Sequence, residues 1–437
     1  MKQKMRFTAA GDLLMMRELP ADSPYEGLAS VQQFIAQGDF RFANLETTIH
    51  RYECAPAQES GGSWTCADPA VLDNIKAFGF NLLSLANNHS LDFSFDGLIK
   101  TREYVTQAGL KAAGTGRTLL EAAQPVYLEC TSGRCALIAM TASFELYGLA
   151  GEQSAHLPGR PGVNGLRVKT RYQVPAEQLR LLSQIASQTN MNAQSDISRR
   201  EGYKPALAPG QMDFGGLIFE EGNECRRITE VDEQDLQRIE QMIFEATLQA
   251  DAIIISLHAH QVGGTEKEIP DQFIETFSRR CIDVGAHAVI GHGPHLLRPL
   301  EIYKGRPIFY SLGDFVLQSE NISRAPAQWF KTYKLSPDAT MHELFATRSS
   351  QFSCGLYCDH KMFESVIPYW EMVDGQISKL KLMPVELGFG EPRSRAGWPR
   401  FTRDESILER LAVMSKPYGT QISICDGVGE VIFDTQS

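Results

Sequence analysis

Asp12, Glu46, Asn88, His258 and His292 stand where five short apolar runs of this sequence end. His89 follows Asn88 directly, and His295 lies three residues beyond His292, across a Gly-Pro turn. Two carboxylates, an amide oxygen and several imidazoles make a donor set suited to a divalent transition metal (Zn, Mn or Fe), as one or two ions. A calcium or magnesium site would be richer in oxygen. Each residue alone has an ordinary use: Asp12 can cap a turn, Asn88 can hold a left-handed backbone, Glu46 can lie on the surface. Five of them at successive run ends point to one site.

The elements that must carry these residues follow from the same runs. Apolar stretches this short, bounded by Gly and Pro, read as buried strands. Strands are expected over residues 5–11, 40–43, 81–86, 252–257 and 288–290, with a second run at Ile308-Phe309-Tyr310 and a hairpin over 126–141. Between them lie helical patterns over 28–37, 95–108, 231–249 and 270–284, and one starting at Asp68-Pro69, with Asp as the cap and Pro at the first helical position. Strand–helix alternation predicts an α/β architecture with partly parallel sheet, in which ligands gather beyond the carboxyl ends of the strands. The signals fade over 145–227, except for an amphipathic helix near 176–188, and again over 319–365. Both stretches are read as insertions into one domain spanning 1–437. The core of that domain is 5–144 and 228–318, and 366–437 is a C-terminal extension with a helix over 404–415 and a closing strand pair.

Composition bounds the partners. The chain has 437 residues, 43% hydrophobic and 22% charged, enough for a large core. A formal charge of -11 disfavours nucleic acid and anionic membrane. An anionic substrate must therefore be drawn in locally, by a metal or by a few cations such as Arg17, Arg298 and Lys304. No run approaches the ~20 apolar residues of a membrane span. The opening MKQKMRFTAAGD, with Lys2, Lys4 and Arg6, reads as a first strand rather than a signal peptide. Nine cysteines, an odd number without zinc-knuckle spacing, are expected as reduced thiols of a cytoplasmic protein, although Cys54 with Cys66 and Cys354 with Cys358 could pair.

The same residues carry a resemblance. GD at Gly11-Asp12, NLET at Asn44–Thr47, LANNHSLD at Leu85–Asp92, SLH at Ser256–His258, then GHGPH and YKGRPIFYSLGDF resemble, in order, the CapA family of poly-gamma-glutamate capsule biosynthesis proteins, within the calcineurin-like metallophosphatase superfamily. The resemblance implies a four-layer α-β-β-α sandwich with helical and loop insertions. It implies Glu46, Asn88, His258 and His292 as metal ligands with Asp12 among or beside them, and His89 as general acid. The chain departs from the pattern in four places. Asp12 is followed by Leu13 and Leu14 where metallophosphatases have Asp-x-His, which predicts one imidazole fewer near Asp12. Two residues separate His292 from His295 instead of one, which predicts His295 displaced from the metal. Ala259-His260 stands for Trp-Gly, and Asp314 for Asn. The function expected is metal-assisted hydrolysis of an amide or phosphoester in a peptide or anionic polymer of the poly-gamma-glutamate type. Two alternatives stand beside it: a peptide Cα epimerase using Asp12 and His295 as an acid/base pair on opposite flanks of the metal, and a non-catalytic polymer-binding or assembly protein.

Overall fold

Apolar runs rich in Ile, Val and Phe pair into two large sheets in the computed structural model, which describes residues 4–19 and 25–433. Lys2 and residues 434–437 lie outside the described residues. The fold is a mixed α/β one.

The ten-stranded sheet runs, in spatial order, Gln421–Cys425, Val428–Ile432, Gln376–Glu386, Glu364–Val373, Lys4–Leu14, Phe40–Leu45, Leu82–Ser84 and Lys111–Ala113. Arg400–Phe401 and Asp314–Leu317 join at its sides. The strands from Lys4 to Ala113 are parallel, and Glu364–Val373 is antiparallel to Lys4–Leu14. The six-stranded sheet runs Leu297–Tyr303, Arg306–Leu312, Ala288–His292, Ala252–His258, Gly133–Thr141 and Val126–Cys130, with a parallel centre and antiparallel edges.

One buried cluster takes Phe7, Phe42 and Trp370 from the large sheet and Leu137, Ile254 and Ile290 from the smaller, so the sheets share an interior. Val31, Ile35, Leu72 and Phe78, from helices Leu28–Ile35 and Val71–Phe78, pack with Leu45 and Leu83 in a second cluster. Ile239 and Ile243 of helix Glu233–Thr247 and Phe273 and Phe277 of helix Gln272–Asp283 pack with Ile253 and Ile255 in a third. Apolar surface leaves water on both faces of each parallel sheet, which is why these strands read as nearly continuous hydrophobic runs.

Several expected boundaries move. The first strand is Lys4–Leu14 and carries Asp12 within it, at a break in register with Phe40–Leu45 and with Asp314–Leu317. The strand expected over 81–86 is only Leu82–Ser84. The helix expected from Asp68-Pro69 begins at Val71, because the Asp68 carboxylate accepts from the Ala70 N–H at 3.0 Å and closes a turn first. The stretch 145–227 holds more order than its composition suggests. Besides helix Ala176–Thr189 it has a second, Ala193–Arg200, and strands of a separate four-stranded sheet: Gln211–Phe214, Leu217–Glu221, Val168–Val174 and Arg226–Val231. Cross-strand charge holds that sheet, as where Arg171 donates to Glu220 at 3.0 Å and to Glu230 at 2.7 Å, so apolar periodicity does not reveal it. All nine cysteines are free. Among the described residues no helix is long and apolar enough to cross a membrane.

Candidate metal centre

Parallel pairing brings the strand ends level. Asp12, Asn44 and Ser84 are successive register partners in the large sheet, as are Thr141, His258 and His292 in the smaller. The two rows meet where the Gly293 N–H, just past His292, donates to Asp12 Oδ2 at 2.8 Å. Asp12 Oδ1 accepts from Asn44 Nδ2 at 2.7 Å and lies 3.3 Å from His292 Nδ1. The chain passes from the smaller sheet to the larger at Gly313 (φ 73°), and this step delivers Asp314 to the same place.

Glu46 lies at the centre of the group. It is fully buried, and neither carboxylate oxygen has a hydrogen-bond partner. Around its Oε1 stand three ring nitrogens, His258 Nε2 at 3.7 Å, His295 Nε2 at 3.9 Å and His89 Nε2 at 4.0 Å. These separations are too long for hydrogen bonds. They suit two metal–ligand bonds of about 2.0–2.2 Å meeting at a shared ion. Asn88 donates its amide to the Gly61 carbonyl at 2.7 Å, while its side-chain oxygen is buried without a partner. Asp314 Oδ2 is unpartnered too. Buried polar atoms are seldom left so, and here they are all acceptor oxygens. The donor set therefore fits a divalent cation.

Three groupings bring ligand atoms within 4.8 Å of one another: Asp12, His258 and His292; Glu46, His260 and His295; and Asp12, Glu46, His295 and Asp314. Of the seven residues singled out from the sequence, Asp12, Glu46, His89, His258, His292 and His295 lie at or beside one centre, and Asn88 directly precedes His89 in the chain. One expectation is corrected. His295 is not displaced: its backbone is left-handed (φ 61°), which turns the ring back toward Glu46, and its Nδ1 bonds Asp314 Oδ1 at 2.9 Å. A further imidazole, His260, stands with Glu46 and His295 rather than beside Asp12, its Nε2 3.0 Å from His258 Nε2.

The electrostatics agree with a cation site. Burial, and then the charges of Asp12 and Asp314, push Glu46 well above the usual carboxylate range. Burial raises Asp314 to about 6 despite His295. Burial and the neighbouring imidazoles hold His258 well below its ordinary value and bring His260 down to about 3. Both rings are thereby kept neutral, the form that ligates metal. His295 goes the other way: burial opposes its charge, but the Asp314 carboxylate outweighs it and raises the imidazole. His89 is oriented by Asp92, with Nδ1 2.7 Å from Oδ2.

The sequence reading gave no role to Asp314 or Asp92 and left His260 open between a place beside the metal and the surface. Gly313-Asp314 after an apolar run repeats the pattern of Gly11-Asp12, and that repeat was the available signal. The candidate anion anchors are engaged by other groups. Arg298 is buried and donates to the carbonyls of Lys267, Ala259, His260 and Gln261. Arg17 holds the carbonyls of Ser394 and Ala396, and Lys304 pairs with Asp283 at 2.6 Å.

A family model, "Bacterial capsule synthesis protein PGA_cap", matches residues 6–319. Over 436 residues the chain is 31% identical to an uncharacterized protein, y4sH, of Sinorhizobium fredii, covering 96% of this chain and 91% of that one. It is 22% identical over 310 residues to the PGA biosynthesis protein CapA of Bacillus subtilis, covering 70% of this chain and 61% of the relative. To a probable polyglutamine synthesis accessory protein of Mycobacterium tuberculosis it is 26% identical over 286 residues, covering 65% and 57%.

Proposed function

The chain belongs to the bacterial capsule synthesis protein PGA_cap family, and from that premise we propose that it is a metal-dependent, hydrolase-like enzyme acting on an amide or phosphoester of a peptide or polyglutamate-type polymer. The observation that carries this reading is Glu46, a fully buried carboxylate with no hydrogen-bond partner, facing three imidazole nitrogens. We read the two sheets and their outer helices as the four-layer sandwich of the metallophosphatase type. We read the chain as one domain, with 145–227 and 319–365 inserted into the core and 366–437 extending it.

On this reading Asp12, Glu46, Asn88, His258 and His292 hold one or two ions of Zn, Mn or Fe, with His260 and Asp314 adding donors. Such an ion supplies Lewis acidity toward a carbonyl or phosphoryl oxygen. The remaining chemistry falls to His89 and His295, the two imidazoles that line the cavity beside the centre. His89, fixed through Nδ1 by Asp92, presents Nε2 to a leaving group that needs a proton. His295, held by Asp314, is kept charged more readily than a free imidazole and steadies a developing negative oxygen.

Hydrolysis is favoured over Cα epimerisation because Asp12 is fully buried, with both its oxygens engaged by Asn44 and Gly293. It is a poor partner for a substrate proton and a good rigid ligand. The test is elemental analysis of purified Glu46→Ala and His258→Ala variants. Each should remain folded and lose the metal that the wild-type chain carries, together with hydrolysis in a screen of glutamyl peptides and phosphoesters. Full metal stoichiometry in either variant overturns the assignment.

A further inference from the structure

An acidic chain that acts on an acidic substrate needs local positive charge, and Arg17, Arg298 and Lys304 are all occupied, Arg298 by backbone carbonyls that include those of Ala259 and His260. The cavity that reaches His89 and His295 has a volume of about 160 Å³, roughly ten times what one water needs. Its outer wall comes from residues 319–357, and that wall contributes Arg348 and Glu320. Glu320 is taken by Arg393 at 2.6 Å. Arg348 makes no hydrogen bond or ion pair with any described residue, and the carboxylate that feels its charge, Glu320, is the one already held by Arg393. Its guanidinium lies 5.4 Å from the centroid of the Trp329 ring, on which it stacks. Trp329 is itself buried, against Trp64 at 5.6 Å and edge-on to Phe345 at 5.8 Å. Arg348 is thus a cavity cation with no direct partner among the described residues, and an aromatic platform limits the directions in which it can point.

We propose that Arg348 is the carboxylate anchor of this site, gripping a free carboxylate of a glutamyl-type substrate and so setting which bond lies at His89 and His295. The planar fork of a guanidinium matches a carboxylate through two parallel hydrogen bonds, which an ammonium cannot reproduce. The cavity between Arg348 and the imidazoles has room for a substrate side chain. The insertion over 319–365 is then the specificity wall of the enzyme. This inference rests on the metal-dependent reading of the centre and names the feature of the substrate that the site recognises.

The test is calorimetric binding of a γ-linked glutamate trimer, and of the same trimer with every carboxylate amidated, to the full Mn²⁺-loaded chain. The wild-type protein should bind the acid more tightly than the amide. Arg348→Gln should bind the acid roughly tenfold more weakly and leave amide binding unchanged, with metal content and melting curve as in the wild type. Arg348→Lys should recover only part of the difference. Equal binding of the acid by wild type and Arg348→Gln overturns the proposal, as does a wild-type protein that does not distinguish acid from amide. Because binding is scored without turnover, a failure of the hydrolytic reading shows separately, as a metal-loaded wild type that binds but does not cleave.

Discussion

Glu46 holds a carboxylate where no described group offers it a hydrogen, beside the carboxylates of Asp12 and Asp314. Without a cation this arrangement costs stability, because burial and like charge both oppose ionisation. A group whose pKa is raised on folding stabilises the folded state only below its unfolded pKa, so near neutrality Glu46 is a net cost. Glu46→Gln mimics the protonated form and can donate to a neighbouring carboxylate. The metal-free variant should be more stable than the metal-free wild type by about 1–3 kcal/mol at pH 7. With excess Mn²⁺ the order should invert, since only the wild type gains from binding. Thermal melts in chelator and in Mn²⁺ check this, and a variant less stable in both conditions refutes the cation site. At this scale much was legible in the sequence. Asp12, Glu46, Asn88, His258 and His292 each end a visible apolar run, and Asp12, Glu46, His258 and His292 do converge. Asp314 and His260 were harder to see because their positions depend on where the chain turns: at Gly313 between sheets, and just past the exit of Ala252–His258.

The strands do their work at both ends. Their exits carry the donor groups, while their entries are sewn together by ordinary bonds, as where the Ile253 N–H donates to His287 Nδ1 at 3.1 Å. That bond needs a neutral ring. Burial, with Arg306 nearby, lowers the His287 pKa to about 4, against about 6.5 in the unfolded chain. Between those values the unfolded state binds more protons, so stability rises with pH across the window. The contribution is fully present above about 6.5 and is lost as pH falls toward 4. Replacing the group with His287→Gln should flatten this slope. Over the window the variant should lose less stability than the wild type, by on the order of 2 kcal/mol, in denaturant titrations at fixed pH values. Identical slopes would show that the ring is already accessible to protons in the folded state. Element existence was readable wherever apolar residues decide it, which covers the parallel strands and the helices that pack on them. Boundaries drifted where a side chain intervened, as with Asp68 ahead of helix Val71–Phe78.

For the molecule as a whole, the stretch around 168–231 illustrates a unit that the sequence concealed. Its four-stranded sheet is separate from the two large ones and carries charged cross-strand pairs, with Tyr172 stacked on Phe219 and Val168 and Val231 against the cluster of the smaller sheet's outer helices. The chain enters and leaves it side by side: Val168 pairs with Val231 and Thr170 with Thr229 in antiparallel register. Excision is therefore geometrically simple. Removing 171–228 and joining Thr170 to Thr229 through Gly-Gly gives a two-residue hairpin whose turn suits the strand twist. The join keeps the hydrogen bond from Thr229 to Asp271, which also accepts from the Phe273 N–H at the start of helix Gln272–Asp283. It sacrifices the Arg227–Asp271 ion pair at 2.6 Å and the buried Ile228. Because the strands that carry Asp12, His258 and His292, and those that end ahead of Glu46 and Asn88, pair among the described residues only within the two large sheets, the centre should survive the excision. The shortened chain should bind the same number of metal ions per molecule by elemental analysis and melt only a few degrees lower. If the metal is lost while the chain remains folded, this stretch braces the centre, and the division into core and insertion is wrong at that boundary.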